Sequence, residues 1–420
     1  MVPPEAETTR DDQASVALKS ETPSEVIGRK SIAELVWQLH WHSQAAHHTE
    51  SYYSPLNIWR EADLLPPALG RDLIGHKAGD WFNLSLESGG IIPLFQEDRL
   101  QRFPLATFAK GHQEPKLGRF YPKGLITGFT GDPIPFRCVG VNPPSFTADF
   151  NHPLAGKPLE LKVKVLEVHR KRSERGGECV DWLDLLTTGP GMQCRWDGVP
   201  TDFFAGDAFQ RENEQDDPRF YEQPRLVGHI DRRAQATIES LYARVLEPGM
   251  QVLDLMSSWQ SHLPDSLAVK SLIGLGMNEA ELQHNPRLHE YLVHDLNQEP
   301  RLPFAERRFE AVICNLSIEY ITQPLEIFQE VARILKPGGL FIQVFSNRWF
   351  PPKVVKVWTE LHEFERQGLV LEYFLRSGAF INLETFSSRG WPRPLDDPHI
   401  SQTKISDPVF AVWGRIKGSA

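Results

Sequence analysis

The chain reads as a multidomain protein of two folded parts. A β-rich N-terminal part of the α+β class precedes an α/β part that starts near Pro218 and is built on a mainly parallel sheet. Three observations predict this. At 420 residues the chain exceeds one ordinary core, since domains of roughly 100–200 residues are the norm. Leu159-Glu160-Leu161-Lys162-Val163-Lys164-Val165-Leu166 alternates apolar and charged residues, the period of a half-buried strand. After Pro218, short apolar runs alternate with helical stripes, the pattern of a parallel sheet covered by helices.

The elements follow in order. Residues 1–25 are polar and aperiodic and predict a disordered tail. From 26 to 170 short apolar stretches such as Ile32–Trp37 and Trp81–Leu86 alternate with turns, predicting a β-rich domain. Residues 171–217 predict a linker. They contain most of the charged run His169–Glu178 and the polar run Gln210–Asp217, around a Gly-Pro-Gly turn at Gly189. The domain from 218 to 420 opens with a helix carrying Ala234, Ile238, Leu241, Tyr242 and Val245 on one stripe. Strands are expected at Gln251–Met256, Val269–Gly276, Tyr291–Leu296, Phe309–Leu316 and Gly339–Phe345. The helix before the last of these has Pro324 near its start and Gly338 just past its end. Asn382–Ser388 and Val409–Ile416 predict an edge hairpin.

Bulk properties exclude several classes. A net charge of -10 argues against a general nucleic-acid binder. Cys138, Cys179, Cys194 and Cys314 show no C-x-x-C spacing, so no zinc or redox motif is indicated. No apolar run approaches the roughly 20 residues of a membrane span. The expectation is a cytoplasmic protein with neither nucleic-acid nor membrane partners.

Val252-Leu253-Asp254-Leu255, Asp295-Leu296, Phe309-Glu310-Ala311-Val312-Ile313 and Leu335-Lys336-Pro337-Gly338-Gly339-Leu340 occur in that order. The set resembles the class I S-adenosylmethionine-dependent methyltransferases, of type 11 kind, over roughly 200 residues. The resemblance implies a Rossmann-like fold with S-adenosyl-L-methionine as cofactor. It places adenine near Asp295 and Leu296. The usual glycine-rich loop after the first strand reads Asp254-Leu255-Met256-Ser257-Ser258-Trp259-Gln260, without glycine. Glycine is favoured there because backbone approaches the cofactor closely. Ser257 and Ser258 are expected to offer hydroxyls to the methionine carboxylate, with Met256 and Trp259 pointing elsewhere. The ribose-binding acid of the second strand is replaced by Gly276 within Ile273-Gly274-Leu275-Gly276-Met277-Asn278. Asn278 is expected to bond the ribose instead.

Asp254–Trp259 followed by Ser261-His262-Leu263-Pro264, with Phe220–Arg225 and His229-Ile230-Asp231 upstream, resembles a subgroup of such proteins in bacteria and plants. Arg225 is expected near the cofactor carboxylate and Tyr221 as a lid. The candidate cofactor-binding set is therefore Tyr221, Arg225, Asp254, Ser257, Ser258, Gly274, Gly276, Asn278, Asp295, Leu296 and Asn315. Asn315, Glu319 and Tyr320 are positioned to face a substrate. Alignment does most of the work in methyl transfer, so no catalytic residue is assigned.

Asp149-Phe150-Asn151-His152-Pro153-Leu154-Ala155-Gly156-Lys157-Pro158-Leu159 resembles FKBP-type prolyl isomerases of the SlyD kind. Leu73-Ile74-Gly75-His76-Lys77-Ala78-Gly79-Asp80 agrees, and Pro55–Ile58 and Leu64-Leu65-Pro66 fall at pocket-wall segments. The resemblance implies an inserted flap at about 104–150. Trp37 stands near a pocket Tyr, Ile58 and Leu161 replace aromatics, and the usual Ala-Tyr-Gly is missing around Gly89–Leu94. Peptide binding or docking is therefore favoured over isomerisation. His40, His42, His47 and His48 read as surface histidines of a hairpin, with a zinc or nickel site as the alternative.

The reading is a methyltransferase of unknown acceptor, possibly a protein, joined to a peptide- or partner-binding module. A non-catalytic chaperone with a degenerate methyltransferase domain and an active prolyl isomerase stand as alternatives.

Overall fold

The computed structural model describes residues 26–58, 67–84, 92–109, 114–170 and 181–418. The expected tail, Leu64–Pro66, the first residues of Gly89–Leu94 and residues 171–180 lie outside them. In chain order the strands are β1 (Ser31–His42), β2 (Ala46–Asn57), β3 (Trp81–Leu84), β4 (Leu100–Pro104), β5 (Phe120–Pro122), β6 (Pro135–Asn142), β7 (Ser145–Asp149) and β8 (Leu159–Arg170). The second half adds β9 (Gln251–Leu255), β10 (Ser271–Gly276), β11 (Glu290–Val293), β12 (Phe309–Asn315), β13 (Leu335–Phe345), β14 (Phe380–Arg389) and β15 (Val409–Ile416).

Eleven strands form one sheet in the order β11-β10-β9-β12-β13-β15-β14-β2-β1-β8-β3. The first five run parallel. The long apolar runs of β9, β12 and β13 are buried on both faces, as parallel strands require. Chain order reverses between β9 and β12, the switch point where open α/β sheets bind ligands. The N-terminal strands β2, β1, β8 and β3 are antiparallel. The insert folds as a separate sheet, β4-β7-β6-β5, around Phe108, Phe136 and Phe146.

Two expectations are corrected. The pair β14–β15 is not an edge hairpin, because Leu383–Arg389 pairs in parallel with Ala46–Tyr52. The two parts therefore share one sheet. At the seam Glu50 is buried and accepts from Gln193 Nε2 at 2.6 Å and from the Ser387 hydroxyl.

The described part of the linker, 181–217, is packed rather than loose. Met192, Phe203 and Ala208 join the core of the second half, while Trp182, Leu186 and Cys194 join that of the first. Arg195 grips Glu372 through two bonds of 2.9 and 2.8 Å. Gly189, at φ +101°, lies so close to the helix Glu363–Ser377 that a Cβ would stand 2.4 Å from the Phe364 ring. The turn glycine serves this close approach. The insert docks on the same helix: Phe120 N donates to Glu365 Oε1 at 2.8 Å, and Arg119 lies 3.5 Å from that carboxylate.

No helix among the described residues is long and apolar enough to cross a membrane.

Candidate functional site

A cavity of about 640 Å³ opens at the carboxyl ends of β9, β10 and β12. Its walls gather ten of the eleven expected residues: Tyr221, Arg225, Asp254, Ser257, Ser258, Gly276, Asn278, Asp295, Leu296 and Asn315. Gly274 is not among them. It lies one step back on the strand under Leu288, whose Cδ1 would meet a Cβ at 2.5 Å.

The loop after β9 explains how the site forms without glycines. Met256 adopts φ +55°, the left-handed conformation that glycine takes without strain. Holding a methionine there costs about 1–2 kcal/mol. His262 (φ +54°) and Leu316 (φ +51°) also line the cavity; such outliers concentrate at functional sites. Met256 and Trp259 were expected to point elsewhere, but both line the cavity. Trp259 Nε1 donates to Val227 O at 3.1 Å, tying down the segment upstream. The hydroxyls of Ser257 and Ser261 each donate to Asp254 Oδ2 at 2.6 Å. Burial still raises the Asp254 carboxyl to about 6. The Ser257 and Ser258 hydroxyls thus already donate inside the protein, Ser258 to Glu281 Oε2 at 2.7 Å.

Asn278 is also employed differently from expectation. Its Oδ1 accepts from Glu281 N at 3.0 Å, capping the helix Glu279–Gln283. Its Nδ2 donates to Tyr221 O at 2.7 Å and Glu222 O at 3.0 Å. The amide is a clamp on the lid segment, and both its ends are engaged. Glu281, which sequence reasoning missed, brings a carboxylate to the cavity wall. It accepts from Arg225 N at 2.7 Å. Its only sequence signal was an acid in the first turn of a helix. Asn278→Ala removes the cap and both clamp bonds. The expected result is a loss of about 1 kcal/mol from the cap and faster amide exchange across residues 218–231. Unchanged exchange there would refute the clamp.

Arg225 stacks among Phe220, Tyr221 and Phe350, its guanidinium 4.8, 5.6 and 5.1 Å from their ring centres. Asp295 and Leu296 fall beyond β11, which ends at Val293. Asp295 Oδ1 accepts from Asn297 N at 2.9 Å, holding the turn, and Leu296 is buried. Asn315 Oδ1 accepts from Tyr242 Oη at 2.6 Å. Tyr320 lines the cavity, and its Oη accepts from Phe350 N at 2.8 Å.

Glu319 is not among the lining residues. It is buried at 1 % exposure behind them, its carboxyl raised to about 8 by burial. The wall further includes His229, Arg348, Trp349, Phe350 and His399. None carried a catalytic motif, and only a place after strand β13 marked Arg348–Phe350.

In the N-terminal part Trp37 is fully buried and donates from Nε1 to Ser54 Oγ at 2.7 Å. Leu161 packs in the same core, with Ile58 against it. The histidines divide by strand alternation. His42 and His47 face outward, edge to face at 4.2 Å. His48 is not a surface residue: it stacks on Trp41 at 3.8 Å and bonds Thr385 Oγ1 at 2.7 Å.

Residues 265–343 match the methyltransferase domain family. The N-terminal region is 34 % identical over 104 residues to the FKBP-type 16 kDa peptidyl-prolyl cis-trans isomerase of Escherichia coli, spanning 25 % of this chain and 67 % of that protein. It is 28 % identical over 142 residues to the SlyD isomerase of Vibrio cholerae, spanning 34 % and 68 %. The malonyl-[acyl-carrier protein] O-methyltransferase of Marinomonas is 32 % identical over 65 residues, spanning 16 % and 24 %. A solved S-adenosylmethionine dependent methyltransferase from Mesorhizobium loti superposes with a TM-score of 0.28 at 16 % identity, covering 42 % of this chain and 95 % of that one. The chain thus belongs, through its N-terminal region, to the FKBP-type peptidyl-prolyl isomerases, and its second half carries a methyltransferase domain.

Proposed function

We propose that this protein is an S-adenosylmethionine-dependent methyltransferase acting on a small acceptor. The observation carrying this reading is the cavity at the switch point, whose first-strand loop keeps a left-handed backbone at Met256 where glycine is usual. Backbone of that shape is what a close cofactor contact needs. About 640 Å³ lies well within the roughly 300–1,000 Å³ span of small-molecule sites.

Asp295 and Leu296 would hold the adenine end. Glu281 would take the ribose in place of the absent acid. Asp254, the Ser257–Ser258 backbone and Arg225 would hold the methionine end. S-adenosylmethionine, when bound, supplies an electrophilic methyl group on a sulfonium. The protein's part is to orient and to exclude water. The segment Tyr221–Ile230 covers the cavity, tied by Asn278 and Trp259. His262, kept neutral by burial that lowers it to about 4, adds no charge beside the acceptor.

For the N-terminal module the favoured role is docking. Its flap is braced on the helix Glu363–Ser377 through Arg119 and Phe120. Calorimetry with S-adenosylmethionine and S-adenosylhomocysteine tests the main reading. Binding in the micromolar range is expected. No binding at millimolar ligand would instead favour a non-catalytic protein.

A further inference from the structure

The cavity holds more than a cofactor site. The residues assigned above to the cofactor lie over β9, β10 and the turn after β11. Tyr320, Arg348, Trp349 and Phe350 line the cavity from the segments beyond β12 and β13, with His229 from the covering segment and His262 from the loop after β9. We propose that this end binds an acceptor that is a small planar anion, its carboxylate or phosphate held by Arg348 and its ring set against Trp349 and Phe350. The inference rests on the methyltransferase reading of the cavity and adds the acceptor's chemical class.

Arg348 is a guanidinium with unused donors. Among the described residues its side chain makes two contacts, Nη1 to Asp407 Oδ2 and Nη2 with His399 Nε2, both at 3.4 Å. Both exceed the usual 2.7–3.2 Å of an N–H···O bond. Asp407 does not depend on Arg348: it accepts from Arg393 Nη2 at 2.5 Å and from Asp231 N at 3.0 Å. A planar fork with free donors favours bidentate capture of a carboxylate or phosphate.

The covering segment adds a further positive charge at that end, the Arg225 guanidinium 5.1 Å from the Phe350 ring, which also favours an anion. His229 and His262 are both shifted towards the neutral form by burial. The carboxylates of the cavity wall are partnered: Asp217 by Arg211 and Lys353, Asp254 by two serines, Glu281 by Ser258 and Arg225 N, and Asp295 by Asn297 N. The aromatic wall is rigid. Tyr320 and Phe350 stack at 6.0 Å, and the Arg366 guanidinium backs Trp349 at 4.3 Å. A planar ligand meets a preformed face there.

The test is calorimetry on the full chain, with and without saturating S-adenosylhomocysteine, using benzoate, phenyl phosphate and neutral benzamide as probes. At least one anion is expected to bind ten-fold or more tightly than benzamide, and the tighter of the two names the group. Arg348→Gln should abolish that preference, and Arg348→Lys should keep part of it. S-adenosylhomocysteine affinity should stay within two-fold in both. Equal binding of all three probes, no binding of any, or an unchanged preference in Arg348→Gln would overturn the inference. S-adenosylhomocysteine binding without an anion preference sinks this inference alone. Failure of S-adenosylhomocysteine to bind sinks the methyltransferase reading instead.

Discussion

Gly276→Asp, which restores the acid that methyltransferases of this class usually carry, is expected to abolish cofactor binding rather than improve it. A Cβ at this position would stand 2.1 Å from Ser257 O. The loop cannot simply retreat. Ser257 N donates to Leu275 O at 2.8 Å, and the Ser257 hydroxyl is bound to Asp254. Overpacking usually costs about 1–3 kcal/mol, and a backbone atom offers little relief. The expected outcome is at least a hundred-fold loss of S-adenosylhomocysteine affinity by calorimetry, with a lower unfolding midpoint in urea. Glu281→Gln keeps the shape and removes the charge. It should weaken binding by roughly ten-fold while leaving the midpoint nearly unchanged, because it deletes one charge-assisted bond. Tighter binding by Gly276→Asp would show that the ribose acid is simply missing and that Glu281 does not replace it.

The second large effect concerns stability against pH. Glu319 sits on the turn after β12, and its Oε2 has no hydrogen-bond partner among the described residues. Burial raises its carboxyl from 4.5 to about 8, against the opposing pull of its own backbone N–H and of Arg366. The folded state therefore binds a proton that the unfolded state has lost. Its contribution is complete below about 4.5 and disappears as pH rises through about 8. Over pH 6 to 8 the expected loss is on the order of 2–3 kcal/mol. Glu319→Gln fills the same space without a titrating proton. Its urea midpoint should be flat over pH 7 to 8, where the parent's falls before levelling off above about 8. The lowered histidines, His40, His48, His152, His229, His262 and His362, have the opposite sign and act below about 6.5. Parallel curves for the two proteins would rule out the buried, protonated Glu319.

Much of the second half was legible because β9, β10, β12 and β13 are buried on both faces and read as apolar runs. Asp254, Gly276, Asp295 and Asn315 all fall at or just beyond strand ends, and the switch-point rule gathers such residues whatever their side chains do. What those side chains do was not legible. Asn278 was a good ribose ligand on paper, but its amide faces a helix end and two lid carbonyls, and it binds those. Glu319 was one residue from Tyr320, yet the turn sends one behind the cavity and the other into its wall. Arg348 and Trp349 came from a loop without periodicity, where composition says nothing about direction.

The sequence by itself determined the two element patterns, the succession of strands along the chain and the places where backbone must bend. These follow from local periodicity and from residues adjacent in the chain. Only the tertiary structure decided that the parts share one sheet through β2 and β14, and that 181–217 is a packed brace. It also decided that the glycine-less loop keeps a glycine's backbone at Met256. Each depends on contacts between residues far apart in sequence, and the free energy of such contacts, burial above all, overrides what local polarity suggests.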